Sequence, residues 1–416
     1  LTDQSIQEDK VPDTISEEQF RQDALAFLEA GAKPRQPVRE GWGEGSDRVG
    51  LLSEHTPEEE LELLRVGKDW KRQVFDAGFG WITGPERYGG RELPKSYGQL
   101  YQTLEARFDT PSLSAFGIGL GMVAPTILAH ATEKVKDAYL RKLYRGDIVA
   151  CQLFSEPGAG SDLAGLQSSA VRDGDEWVIN GQKVWTSGAQ FSDIGEIICR
   201  TDPDAPKHKG LTGFVVDMKA PGVEVRPLRQ MTGGASFNEV FFTDVRVPDD
   251  HRLGDVNQGW TVALTTLMNE RASIGGGGGG LGTLGTQRFV EMARMLGRAD
   301  DPIARQRLAE VYVHGAVARY TNMRAMARIK AGQLPGPEMS IAKLSLTLNM
   351  QRIANLVSLL LGPRLVADTG EWGTYAWAEF VLGVPGIRVA GGTDEVMRNI
   401  VGERVLGLPK EPRGDS

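Results

Sequence analysis

At 416 residues the chain is long enough for two or three domains with ample core, and its net charge of −8 removes any general attraction for nucleic acid or an anionic membrane. Any anionic ligand must therefore be gripped by local groups. The two cysteines, Cys151 and Cys199, lie in apolar strand-like runs with neither disulfide nor metal-ligand spacing, so no metal site is expected and a reducing, cytoplasmic setting fits.

In chain order, the first 150 residues read mostly as helix. Thr56 as cap, Pro57 in the first turn and Glu59 closing a capping box announce one helix, with Leu63, Val66, Trp70 and Val74 as its core stripe and Gly78 at its stop. The loop TGPERYGGRELP follows, then helical periodicity through Leu100–Leu104 and Val135–Leu143. From about 148 to 249 the pattern turns to short strands, among them IGEIICR, GLTGFVVDM, VEVRPL and NEVFFTDVRVP, expected to form an antiparallel sheet. Helices return at Trp260–Ile274, Pro302–Ala327, Met339–Leu361 and Thr393–Val405. The expected architecture is α+β: a helical domain over 1–147, a β domain over 148–252 and a helical domain over 253–416. No apolar run reaches membrane-spanning length, and LTDQSIQEDKVPD is polar and acidic, unlike a signal or transit peptide.

Six glycines, Gly275 to Gly280, follow the helical stretch MNERASI. They contain a G-x-G-x-x-G string, but after a helix rather than a strand, so a dinucleotide site is not expected. Each glycine inside a helix costs about 1 kcal/mol relative to alanine. The run is therefore either a loop, a close helix crossing, or a pocket wall cut back for a large ligand.

The most specific stretch runs from Phe154 to Ala189. In FSEPGAGSDLAG, the residues Pro157, Gly158, Gly160 and Ser161 make a tight polar turn with bare N–H groups and a hydroxyl, a place to hold an anion. In INGQKVWTSGA, the residues Trp177–Ile179 read as a strand, Asn180-Gly181 as a hairpin turn, and the returning strand as ending at Trp185, Thr186 and Ser187. An indole beside two hydroxyls suits a planar heteroaromatic group with one polar reactive edge.

Farther on, Glu270 has Leu267 and Ile274 one turn away, with Thr266 and Ser273 beside them. A carboxylate on such a mainly apolar face is a candidate general base, because desolvation raises its pKa. The alternative is a solvated surface charge. Arg271 points elsewhere on the helix, either to a phosphate or carbonyl or to a surface ion pair.

Together with the P-E-x-Y-G-G block in WITGPERYGG and the ending AGGTDEVMRNIVGERVLGLP, these blocks resemble the flavin-dependent acyl-CoA dehydrogenases over nearly the whole chain. The resemblance implies a helical domain, a middle β-barrel or sheet domain and a C-terminal four-helix bundle, usually in tetramers, with FAD between the β and C-terminal parts of neighbouring subunits. Matched position by position, Phe154 and Ser155 would meet the flavin pyrimidine edge, and Gly160 and Ser161 the pyrophosphate. Trp185 would cover one flavin face, with Thr186 and Ser187 placing a donor near N5. Thr393 and Glu395 match further flavin contacts. Ser161, Met268, Asn269, Arg271 and Gly392 fall on substrate-contacting positions. The implied partners are an acyl-CoA thioester and an electron acceptor of the electron-transfer flavoprotein type.

Two departures stand out. Many members carry the base immediately before the C-terminal Gly-Thr, where this chain has Gly391. Glu270 falls where isovaleryl-CoA and long-chain acyl-CoA dehydrogenases carry theirs, with Glu395 as the fallback. The segments that hold the adenine end of a neighbour's FAD in many members lack clean counterparts in ARMLGRADDP and VSLLLGPRLVADTG. Either those contacts are made differently, in a homo-tetramer, or this subunit does not complete its partner's site, which would suit a heterotetramer of two unlike subunits, as in actinobacterial enzymes acting on steroid side chains. The expected reaction is α,β-dehydrogenation of an acyl-CoA, with the glycine run pointing to a bulky, branched or long acyl chain. An oxidase or monooxygenase on the same fold, or a subunit that only completes a second chain's site, are the rivals.

Overall fold

The computed structural model describes residues 15–36, 43, 47, 49, 51, 55–276, 285–330, 336, 337 and 339–410. Helices α1 (Glu17–Gly31), α2 (Pro57–Asp76), α3 (Lys95–Glu105), α4 (Ala124–His130) and α5 (Glu133–Arg145) form the first layer, with a two-residue ribbon β1 (Lys33–Pro34) and β2 (Phe108–Asp109). The Thr56–Glu59 capping box closes as expected: Glu59 N–H donates to Thr56 Oγ1 and the Glu59 carboxylate accepts from Thr56 N–H. The α2 stripe differs from expectation. Leu64, Gly67, Trp70, Lys71, Val74 and Phe75 are buried, whereas Leu63 is 37% exposed and Val66 half-buried. Gly67 sets this rotation, because its bare Cα sits against Ser112 O and Phe116, where a Cβ would stand 3.1 Å from each.

Strands β3 (Ala150–Leu153), β4 (Ser169–Asp173), β5 (Glu176–Ser187), β6 (Ile194–Arg200), β7 (Leu211–Asp217), β8 (Val223–Leu228), β9 (Phe237–Pro248) and β10 (Arg252–Leu253) form one sheet in the order β10-β7-β6-β4-β5-β9-β8, with β3 beside β6. Most pairs are antiparallel; β3 and β4 run parallel to β6, so the sheet is mixed. One sheet face and α4–α5 share an apolar core with α6 (Gly259–Gly276), which contributes Val262, Ala263 and Leu267. The C-terminal helices α7 (Thr286–Met295), α8 (Pro302–Lys330), α9 (Met339–Leu361), α10 (Trp377–Val389) and α11 (Asp394–Ile400) gather around a separate core of Phe289, Leu356, Trp377 and Phe380. Helices α7 and α10 lie outside the helices expected from periodicity. Gly275 and Gly276 end α6, and Gly277–Gly280 lie outside the described residues.

Candidate functional site

Asn180-Gly181 is not a hairpin turn. Strand β5 runs through it unbroken, and the turn joining β4 to β5 is Gly174-Asp175, with Gly174 at φ +63°. Between Ile179 and Gly181, β9 carries one extra residue, a bulge at Asp244 (φ +51°). Asn180 clamps it on both sides: its Nδ2 donates to Asp244 Oδ1 at 3.0 Å and its Oδ1 accepts from Asp244 N–H at 2.9 Å. Gly181 is required because a Cβ there would lie 2.3 Å from Ser168 Oγ. An Asn-Gly pair serves a turn or a bulge partner equally well, which is why local sequence misled.

A second bulge lies on β5, between Lys183 and Thr186, and it re-aims the chain where the motif ends. Trp185 takes φ +61°, a strained conformation for a bulky residue, and turns its indole outward at 61% exposure, edge-on to Phe237 at 6.0 Å. Thr186 turns inward. Its Oγ1 is buried and makes no hydrogen bond among the described residues, while its carbonyl accepts from Asn238 Nδ2 at 3.0 Å. Ser187 lines a 260 Å³ cavity shared with Leu63, Leu64, Ser114, Ile118 and Phe237. An outward ring at a strained bulge, backed by an unpartnered hydroxyl, fits a flat ligand with a polar edge, as FAD requires.

The loop from Phe154 is pinned from beneath by a residue that the motif reading passed over. Lys183, fully buried on β5, donates through Nζ to Phe154 O at 3.0 Å and Glu156 Oε1 at 2.8 Å. Glu156 also accepts from Gln167 N–H and Ser168 N–H. Burial alone would raise the Glu156 carboxyl, but the Lys183 ammonium and these donors outweigh it and hold it below the usual range. Phe154 is buried, Ser155 half-buried with its carbonyl bonded to Val184 N–H at 2.8 Å, and Gly160 and Ser161 are exposed at the loop tip. The lysine lies within the quoted ING-x-K-x-W block; an ammonium inside an apolar strand was the signal that could have found it.

On α6, Met268 is 62% exposed and Asn269 and Glu270 are half-buried; the side chains of Arg271, Ser273 and Ile274 lie outside the described ones. One turn before Glu270, Leu267 packs against the core shared with the sheet, as expected, and its neighbour Thr266 is fully buried and bonded to Glu196 of β6. At the C-terminal end Thr393 caps α11, its Oγ1 accepting from Val396 N–H at 3.2 Å, and Gly391 and Gly392 take φ +66° and +89°. A glutamate at Gly391 would be strained in that conformation. Glu395 is exposed and paired with Arg398, so it lacks the burial a base uses. Asp394 anchors the loop instead: it accepts from Arg388 at 2.8 Å, Thr347 at 2.7 Å and Lys343 at 3.1 Å. Burial would raise its carboxyl, and these three donors reverse that and hold it low. The structure thus brings Phe154, Ser155 and the motif's lysine together, and places Gly392, Thr393 and Glu395 at the start of α11 among the C-terminal helices.

Three family models match in chain order: the acyl-CoA dehydrogenase N-terminal domain over residues 51–147, the middle domain over 151–245 and the C-terminal domain over 257–406. Acyl-CoA dehydrogenase IpdE1 of Mycobacterium tuberculosis (strain ATCC 25618 / H37Rv) is 35% identical over 374 residues, covering 86% of this chain and 92% of that protein. Among solved structures, the Tcur3481-Tcur3483 steroid ACAD superposes with a TM-score of 0.72 at 27% identity, covering 95% of this chain and 98% of that one. The ChsE4-ChsE5 complex from Mycobacterium tuberculosis gives 0.68 at 25% identity, covering 96% and 99%. With three domain models in order and a relative matched over nearly its full length, the chain belongs to the acyl-CoA dehydrogenase family.

Proposed function

We propose that the chain catalyses FAD-dependent α,β-dehydrogenation of an acyl-CoA thioester, with Glu270 as the base. The observation that carries this reading is the β5 bulge, which turns the Trp185 ring outward, edge-on to Phe237, and the next residue, Thr186, inward with a buried hydroxyl that has no partner among the described residues. Phe154, Ser155, Gly160, Ser161, Trp185, Thr186 and Ser187 would hold the flavin, joined by Thr393 and Glu395. Ser161, Met268, Asn269, Arg271 and Gly392 would bind the CoA thioester. When bound, FAD supplies the acceptor for the hydride that leaves the β-carbon. The Glu270 carboxylate takes the α-proton, and the Trp185 ring excludes water from one face of the site. The reduced enzyme returns its electrons to an acceptor protein of the electron-transfer flavoprotein type. The two buried, unpaired cysteines fit the cytoplasm as the setting.

A tetramer is supported by α8, which leaves Tyr312, Val317, Tyr320 and Met323 exposed along one side. We further read the chain as one of two unlike subunits, because the adenine-binding segments lack counterparts and both structural relatives carry paired chain names. A bulky acyl group, as the name steroid ACAD implies for that relative, is the substrate class. The test is anaerobic titration of the purified flavoprotein with isovaleryl-CoA, octanoyl-CoA and a steroid side-chain acyl-CoA. Bleaching of the flavin band, strongest with the steroid thioester, is expected. Absence of bleaching with every thioester would refute the reaction, and equal bleaching would refute the substrate class.

A further inference from the structure

Behind the catalytic turn of α6 lies a set of polar groups that the reaction above does not use. Glu196, the third residue of β6, is fully buried, and strand alternation puts it on the same face as Ile194 and Ile198, in the core shared with Leu267. Its Oε1 stands 2.5 Å from Thr266 Oγ1, which stands 2.9 Å from Thr126 Oγ1, and Thr126 donates to Met122 O at 2.9 Å. Both threonines are fully buried.

Four contacts converge here, because Thr266 Oγ1 also lies 3.2 Å from Val262 O, and the two hydroxyls supply only two hydrogens for them. A protonated Glu196 adds a third, at the shortest contact. An ionised Glu196 would instead be a fully buried charge with no cation bonded to it among the described residues. Oε2 makes no hydrogen bond among the described residues. Glu270 comes from α6 and His130, bonded to Thr265 at 2.8 Å, from α4; β3 and β7 oppose Glu196 with Gln152 and Val215, and the turn Gly119–Val123 carries no titratable side chain.

We propose that Glu196 is a positioning residue: as an un-ionised acid it donates into the Thr266–Thr126–Met122 chain and so fixes the helical turn that presents Glu270, a role that rests on Glu270 being the base. Thr266 and Glu270 are four residues apart and share one face of α6. The latch therefore acts one turn behind the base, tying α6 to the sheet and to the π-helical turn that carries Met122. Burial pushes the carboxyl up to about 8, with only the Thr266 bond opposing. A carboxyl raised on folding contributes its full stability below the ordinary carboxylate range and loses it as pH rises towards about 8.

The test compares the wild-type holoprotein with Glu196→Gln, which keeps a donor but cannot titrate, and Glu196→Leu, which keeps bulk but no donor. Thermal midpoints are read from pH 5 to 9, and the anaerobic flavin-reduction rate with the best-bleaching acyl-CoA is read over the same range. The wild-type midpoint should fall relative to Glu196→Gln from pH 5 to 8 and then run parallel. At pH 7, Glu196→Gln should reduce flavin within about twofold of wild type, while Glu196→Leu should slow by about tenfold with little change in KM, the scale expected when a buried hydroxyl loses its partner and a base is misplaced. Parallel midpoints across the whole range would overturn the un-ionised acid. A folded Glu196→Leu protein with the wild-type rate would overturn the positioning role. Failure of the base assignment reads out separately, as turnover retained in Glu270→Gln.

Discussion

Two buried lysine–carboxylate pairs each fix a loop proposed to touch the cofactor, and they are built in opposite ways. Lys183–Glu156 joins the two central motif blocks, 27 residues apart, inside the sheet: the lysine is wholly enclosed and the carboxylate accepts from two backbone N–H groups as well. Lys343–Asp394 is collected from α9 and α11 across 51 residues, with Thr347 of α9 and Arg388 of α10 completing it, and the Arg388 side chain is 38% exposed. The sheet pair is a closed unit of one domain. The helical pair is open to solvent on one side, at Arg388, and its loop carries two left-handed glycines, Gly391 and Gly392.

The largest expected consequence is at Lys183. Lys183→Met leaves the Glu156 carboxylate buried without its cation, which should cost about 3–5 kcal/mol in urea unfolding and release the Phe154–Ser161 loop, with loss of bound flavin. A cost near that of Asp394→Asn would erase the contrast. Asp394→Asn should cost less, about 1–3 kcal/mol, because Arg388 can be solvated when its partner is neutralised. Acid sensitivity sharpens the point. Both carboxyls are held low in the fold, so the stability they contribute is present above the ordinary carboxylate range and lost as pH falls through their lowered values. In Lys183→Met the Glu156 share of that acid limb should vanish while the Asp394 share stays, as read from unfolding midpoints between pH 2 and 5. The smallest stability effect belongs to Trp185→Gly: an exposed ring is lost and a left-handed backbone is relieved, so stability should move by no more than about 1 kcal/mol. Flavin retention should nevertheless fall. A large loss of stability would make Trp185 a core residue instead of a cofactor platform.

Much of this organisation was legible in the residues. The capping box of α2, the strand runs, and the long helices α6, α8 and α9 follow from local periodicity and cap chemistry, which act within a few residues. What escaped depends on contacts far apart in sequence. The Asn180-Gly181 pair reads as a turn until β9 supplies Asp244, and Leu63 reads as core until Gly67 brings α2 against Ser112 and Phe116. Helix α10 hides behind an internal Pro385 and a sequence too evenly apolar to show one face. The proposed site residues are motif positions in the sequence, whereas the buried polar groups beneath those segments carry no such local signature. Lys183, Asp394 and Glu196 are polar residues whose roles emerge only when their partners, 27, 51 and 70 residues away, arrive.

The most direct measurement is stopped-flow flavin reduction by acyl-CoA in Glu270→Gln against wild type, with flavin content determined on both. The expected result is unchanged flavin per chain with reduction slowed by about a thousandfold, the scale of a lost general base. Reduction at the wild-type rate in a flavin-replete Glu270→Gln protein would contradict the assignment and return the search to Glu395.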